Sequence, residues 1–214
     1  MTKMIVSGFT DILTDCEEAI SFKNVLEIDR IRNNNIIFTV CSNNNFKYIY
    51  DYNNDFIFMD YIISNTGAYV YDLVNERILF KKNILPSIIK KLYKKYNSTC
   101  TFCTLDNNYV FENDNDFDKF YNENKNNVYS VIIDINSDDY LDTLNINYIK
   151  LNRNIYIVDS HVSLDNSINK ICLKRKIDLK NILGIGFDDY ISYSFKNINI
   201  KRGEDILDIL RKIW

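Results

Sequence analysis

The sequence holds one histidine, one proline, one tryptophan and five glycines in 214 residues. Its only histidine, His161, lies far from the N-terminal strand and from every pair of cysteines. Neither a histidine-activated nucleophile near the start nor a mixed Cys/His zinc site is favoured. No glycine-rich phosphate loop is present. No run reaches 18 apolar residues, so no membrane span is expected. The N-terminus lacks a basic stretch followed by an apolar one, and no signal peptide is expected. The formal net charge is -3 and the pI about 5.3, which gives no general attraction to nucleic acid or to an anionic membrane. Five scattered cysteines, Cys16, Cys41, Cys100, Cys103 and Cys172, do not form the even framework of a disulfide scaffold. A reducing cytoplasm is the expected compartment.

What the chain does have is 46% hydrophobic and 26% charged residues, an ordinary globular balance. It is rich in Asn (31), Ile (33) and Tyr (16). That bias fits drift under an AT-rich genome, bacterial or viral, so runs such as Asn33-Asn34-Asn35 and Asn43-Asn44-Asn45 carry little weight as sites. The length suits one large core, or a core with a small second domain.

The pattern alternates from the start. Met4-Ile5-Val6 reads as a buried strand. Residues 17–31 read as an amphipathic helix, with Ala19, Phe22, Val25, Leu26, Ile28 and Ile31 as its apolar positions. Strands are predicted at 36–40, 60–64 and 69–71, and a short helix at 46–52. Strand, helix, strand, helix, strand is the signature of a parallel sheet with helices on its faces. Pro86 then opens a helix with the stripe Ile88, Ile89, Leu92 and Tyr93. The middle of the chain reads as an inserted unit of four strands and two helices. Its acidic stretch at 112–127 is partly helical and anchored by Phe117, Phe120 and Tyr121. The end returns to the first pattern, with a helix carrying Ile168, Ile171 and Cys172, a buried strand at 182–186, and a helix at 204–214 ending in Trp214.

With those elements in place the chain resembles the haloacid dehalogenase superfamily, in particular the Cof-type sugar-phosphate phosphatases with a large inserted cap. Residues 60–72, with Asn65-Thr66-Gly67-Ala68 between two strands, are similar to the family's strand, Asn-Gly turn, strand and aspartate. Residues 177–186 resemble the helix end and strand that lead to its last acidic motif. The resemblance implies an α/β fold, a Rossmannoid core with a parallel sheet and helices on both faces, plus a small inserted α+β cap. Core is expected at 1–83 and 157–214, and cap at 84–156.

The resemblance also assigns chemistry to positions. The family keeps two aspartates two apart at the end of the first strand, a nucleophile and a proton shuttle. The matching residues here are Ser7 and Phe9. A serine hydroxyl needs a base to attack, and phenylalanine carries no proton and offers no oxygen to magnesium. A slipped register using Asp11 and Asp15 has a spacing of four instead of two. Ser42 matches the Ser/Thr that bonds the phosphoryl group, though serine after a strand also suits an ordinary loop. Leu164 stands where the family has a charge-neutralising lysine, and Asp165 follows it. Lys170 and Lys174, further along that helix, read as solvated surface charges. In the last motif Phe187 follows Gly186, and Asp188 and Asp189 come late. That pair is either a weak magnesium site or a capped, solvated turn.

Other signals are read plainly. Cys100-Thr101-Phe102-Cys103 is taken as two half-buried cysteines, without a second pair to complete a zinc site. Lys81, Lys82, Lys90, Lys91, Lys94 and Lys95 form a basic patch, read as a solvated face. The expected function is that of a catalytically inactive relative with a binding, scaffolding or regulatory role. A protein partner, self-association or a small phosphorylated ligand is compatible with that role, and no cofactor is required. The alternative is a magnesium-dependent phosphomonoester hydrolase with altered active-site residues, using Asp188, Asp189 and Ser42.

Overall fold

The computed structural model describes residues 1–9, 13, 20–55, 58–136, 139–144, 146–150, 154–159, 163–186, 196–198, 209 and 211. The alternation seen in the sequence becomes a sheet built around β1 (Met4–Gly8). β1 pairs in parallel with β2 (Ile37–Cys41) on one side and with β11 (Ile182–Ile185) on the other. β3 (Tyr61–Ser64) extends the sheet in parallel beyond β2, and β12 (Lys196–Ile198) does so beyond β11. Two antiparallel strands, β4 (Tyr69–Asp72) and β5 (Arg77–Lys81), complete the order β12-β11-β1-β2-β3-β4-β5. The sequence reading did not anticipate β5. Its residues alternate poorly in burial, with Ile78 47% exposed, so no clean period of two marks it.

Helices cover both faces of this sheet. α1 (Phe22–Asn33) and α2 (Phe46–Asp55) lie on the face that receives Ile5, Phe38, Val40, Ile62, Leu183 and Ile185. Each starts on a side-chain cap. Ser21 Oγ accepts from the Asn24 amide at 3.2 Å, and Asn45 Oδ1 from the Tyr48 amide at 2.9 Å. The buried stripe of α1 is Val25, Ile28 and Ile31, whereas Phe22 and Leu26, predicted to face inward, are 62% and 54% exposed. α6 (Leu164–Arg175) covers the other face, where Ile168, Ile171 and Cys172 meet Met4, Val6, Tyr61, Ile63 and Val70.

The inserted unit has its own antiparallel sheet. Its strands are β6 (Cys100–Cys103), β7 (Asn108–Tyr109), β8 (Ser130–Asp134), β9 (Tyr148–Lys150) and β10 (Ile155–Val158), in the order β7-β6-β8-β10-β9. Three helices, α3 (Pro86–Tyr96), α4 (Asp114–Asn124) and α5 (Asp139–Thr143), accompany it. Among the described residues the unit has five strands and three helices where four and two were expected. α4 forms despite its acidity because Asn113 caps it and Asp114 and Asp116 sit in its first turn, where the helix dipole favours negative charge. Tyr93 stacks on Phe117 with ring centroids 3.7 Å apart, joining α3 to α4 in a core shared with Phe102, Phe111 and Phe120. Cys100 and Cys103 are fully buried, not half-buried. Burial pushes their thiols up to about 12 and about 11. The lysines at 81, 82, 90, 91, 94 and 95 are exposed, and Lys90 and Lys95 lie over the rings of Tyr121 and Tyr140.

Lys174 corrects another expectation, because it is not a solvated charge. It forms an ion pair with Asp72, whose side chain has no solvent exposure and also bonds Asn75. Burial alone raises the Asp72 carboxyl, but the Lys174 ammonium and the Asn75 amides hold it below the ordinary 3.8. Lys170 lies over the Phe80 ring at 5.0 Å. Together these two contacts fasten α6 to the antiparallel end of the sheet.

Lys174→Met leaves a buried carboxylate without its cation and should cost about 3 kcal/mol in chemical denaturation. Because the carboxyl is held low in the folded chain, the pair contributes fully above the ordinary value. That contribution is lost as pH falls from about 4 through the lower folded value. Asp72→Asn should flatten this acid-side loss of stability, and an unchanged acid limb would count against the assignment.

Candidate functional site

In an open parallel sheet, loops at the C-terminal ends of the strands form the natural binding edge. The structure brings Ser7, Phe9, Ser42 and Leu164 to that edge. Ser7 is in register with Val40 of β2 and Ile185 of β11 and has no solvent exposure. Its Oγ donates to the Gly8 carbonyl at 3.0 Å. A hydroxyl so enclosed and so committed is a weak nucleophile.

Phe9 leaves the strand on the same face as Ile5 and Ser7. Its amide donates to the Cys41 carbonyl at 3.0 Å, which holds it beside the end of β2. Its ring is 1% exposed and meets Tyr48 and Tyr52 of α2 edge-on, at centroid distances of 5.8 and 5.2 Å. Both are the T-shaped arrangement that aromatic rings favour. The position matched to a proton-shuttling carboxylate is thus part of the apolar core.

Ser42 follows directly. Its amide donates to the Ile63 carbonyl at 2.9 Å, and its Oγ accepts from the Asn44 amide at 3.0 Å. The hydroxyl shapes the 42–44 turn. Asn44 in turn accepts from the Asn65 amide at 3.1 Å, so this loop rests on the turn after β3. That turn places Asn65, Thr66 and Gly67 at φ of 50°, 57° and 97°. Gly67 is needed there. A methyl group on it would stand 3.2 Å from Ser167 Oγ and 3.3 Å from the Leu164 backbone. Ser167 Oγ instead donates to the Gly67 carbonyl at 2.6 Å.

Leu164 is therefore pressed against the same edge, at the first position of α6. Ser163 Oγ caps this helix by accepting from the Asn166 amide at 3.2 Å. The Leu164 side chain packs with the apolar cluster under α6. Asp165 sits in the first turn and complements the positive end of the helix dipole from within the chain. Neither residue offers a cation to an incoming anion.

Above this edge sits the inserted unit. The Leu105 carbonyl accepts from the Lys47 amide at 2.9 Å and so caps α2 from outside the core. The Asn65 amide group donates to the Thr104 carbonyl at 3.3 Å. Around these bonds Ala68, Tyr69 and Tyr129 are buried together, with Phe46, Tyr71 and Leu105 against them. Burial, with Tyr129, Tyr71 and Asp106 nearby, pushes the Tyr69 hydroxyl up to about 12, so it stays protonated at neutral pH. The sequence reading missed this roof. Tyr69 and Tyr129 are 60 positions apart, and only the alternation of Tyr69 and Tyr71 hinted at an aromatic face.

Magnesium asks for several hard oxygen ligands. None of the four matched positions supplies a carboxylate, and Ser7 Oγ is buried and bonded, so these residues do not fit the ion. Among the described residues no three His, Cys, Asp or Glu side chains come together as a metal site. Asp188 and Asp189 lie outside the described residues, as do Phe187, Asp11, Asp15, His161 and Trp214.

The sequence profile of haloacid dehalogenase-like hydrolases matches residues 11–156, more than half of the chain. The chain belongs to this family. The matched stretch contains Ser42, begins after Phe9 and ends before Leu164. No curated protein matches the chain. Among solved structures, a haloacid dehalogenase-like hydrolase from Bacteroides thetaiotaomicron superposes with a TM-score of 0.74 at 12% identity, over 100% of both chains. A haloacid dehalogenase-like hydrolase from B. subtilis gives 0.70 at 12% identity, over 86% of this chain and 83% of that one. A sugar phosphatase of haloacid dehalogenase subclass IIB gives 0.67 at 15%, over 86% and 80%. At these identities the likeness is one of fold. The haloacid dehalogenase-like core is the seven-stranded sheet with its helices, and the five-stranded unit is the cap-like region above its edge.

Phe9→Ala should cost about 3–5 kcal/mol of stability, because it opens a cavity between α2 and the end of β1. Phe9→Asp should cost at least as much, since it places a carboxylate among Tyr48, Tyr52 and the apolar core. Wild-type denaturation midpoints for both variants would show that the ring is not part of the core.

Proposed function

We propose that this haloacid dehalogenase-like chain is a Cof-type member that has lost catalysis and acts by binding, as a scaffold or regulator. In this reading the core at 1–83 and 157–214 carries a cap at 84–156. The observation that carries the reading is Phe9, 1% exposed and enclosed by Tyr48 and Tyr52. By resemblance, this is the position of the residue that passes the proton to the leaving group. Ser7, buried and bonded to Gly8, and Leu164, packed under α6, support it from the nucleophile and cation positions. Nucleophile, proton donor, cation and metal act as a unit in phosphoryl transfer, so a remaining subset does not keep a proportional share of the rate. Four buried free thiols, Cys41, Cys100, Cys103 and Cys172, suit a reducing cytoplasm.

At the edge that by resemblance faces the phosphoryl group, Ser42 has its amide and one Oγ lone pair engaged within the chain and keeps its hydroxyl proton to donate. A small phosphorylated ligand held without turnover, or a protein partner, fits this role. The competing reading is a magnesium-dependent phosphomonoester hydrolase using Asp188, Asp189 and Ser42.

Purified full-length chain with magnesium and p-nitrophenyl phosphate or hexose phosphates should show no hydrolysis above the uncatalysed background. Turnover that needs magnesium and disappears in Asp188→Asn would establish the hydrolase and discard the inactive reading.

A further inference from the structure

At the opposite end of the sheet, about 15 Å from Ser42 along β2, lies a cavity of about 490 Å³. Ile36 and Ile37 at the start of β2 and Val74 of the β4–β5 turn are its apolar lining, beside the polar Asn33 and Asn35. The size is that of small-molecule sites. One side of it is already satisfied. Arg32 donates through Nε and Nη2 to Asp60 Oδ1 at 3.2 and 3.0 Å, and Asp60 Oδ2 accepts from the Phe38 amide at 2.8 Å.

The other side differs. Arg175, at the end of α6, donates through Nε to the Tyr61 hydroxyl, and its guanidinium lies over the Tyr61 ring, 5.3 Å from the centroid. These contacts fix the group while leaving both terminal nitrogens without a partner among the described residues. A guanidinium held in place by its Nε presents the two parallel donors that match a carboxylate. Asp29, exposed at the rim, has one oxygen engaged with Asn33 at 3.1 Å and adds a negative charge there. It disfavours a doubly charged guest more than a singly charged one. The lining thus combines one open cationic fork, a neighbouring acid and three apolar side chains among polar ones.

We propose that this cavity binds a small organic monocarboxylate, with its carboxylate on Arg175 and its apolar body against Ile36, Ile37 and Val74. The site is separate from the edge that holds Ser7, Phe9, Ser42 and Leu164, and it does not depend on whether that edge is catalytic.

Benzoate is a suitable probe, with benzamide as its uncharged counterpart and inorganic phosphate as the dianion. Ligand-observed NMR titration of the full chain should detect benzoate, with benzamide and phosphate each at least tenfold weaker. Arg175→Ala should weaken benzoate at least tenfold. Val74→Glu, at a position 56% exposed, adds charge at the wall without disturbing the core and should do the same. Ser42→Ala should leave benzoate binding unchanged. No benzoate binding at millimolar concentration overturns the proposal, as does benzoate binding that survives both cavity variants. Preference for phosphate overturns the carboxylate assignment.

Discussion

Burial of β1 on both faces is the constraint on which the rest depends. Met4 and Val6 point into the layer under α6, while Ile5, Ser7 and Phe9 point into the layer under α1 and α2. A parallel strand buried in this way has no solvent side on which to place a polar group. Its register with β2 and β11 sets where the chain emerges at the edge, and hence where Phe9 and Ser42 stand. In a working phosphatase of this architecture, the same strand would have to deliver two carboxylates into that layer and keep them solvated or on a metal. Phe9 removes that demand and joins the core.

The same economy recurs around the edge. Polar groups that elsewhere would meet a ligand are spent on internal geometry. Ser42 Oγ holds the 42–44 turn, Ser167 Oγ holds Gly67, and Asp165 serves the dipole of its own helix. The cap supplies the Leu105 carbonyl to α2 and the Thr104 carbonyl to Asn65. Ser64 Oγ and Asn65 Oδ1, buried at the same edge, are without a partner among the described residues, so the edge is satisfied from within only in part. In the Arg175 cavity, by contrast, the guanidinium is hydrogen-bonded only through Nε among the described residues.

Local features were the legible ones. Pro86 and the stripe of Ile88, Ile89, Leu92 and Tyr93 announce α3, since start signal and period lie within a few residues of each other. β1, β2, β3 and β11 are short apolar runs and read clearly, whereas β12, three residues with a single apolar one, is not read as a strand. The start and facing of α1 did not, because Phe22 and Leu26 are spaced as well as Val25, Ile28 and Ile31. Only packing on the sheet decides between two such stripes. The Asp72–Lys174 pair, 102 positions apart, left no mark in the pattern and was misread as surface charge. At the candidate site the positions were legible through motif resemblance. What each residue does there depends on partners brought in by the fold, such as Tyr48 and Tyr52 around Phe9.

The pairing of β1 with β11, and of Asp72 with Lys174, has a bearing on biosynthesis. Both join segments that flank the entire inserted unit. During synthesis the N-terminal strands emerge first, with Met4, Val6, Tyr61, Ile63 and Val70 bare on the side that α6 will cover. The cap closes mostly on its own near neighbours and can condense while the core is still half made. The nascent chain therefore passes through a stage with a finished cap and an open, sticky half-sheet. Until α6 is made, the apolar side chains it later covers have no partner layer, so the last stretch of core to be synthesised is the one that closes the sheet.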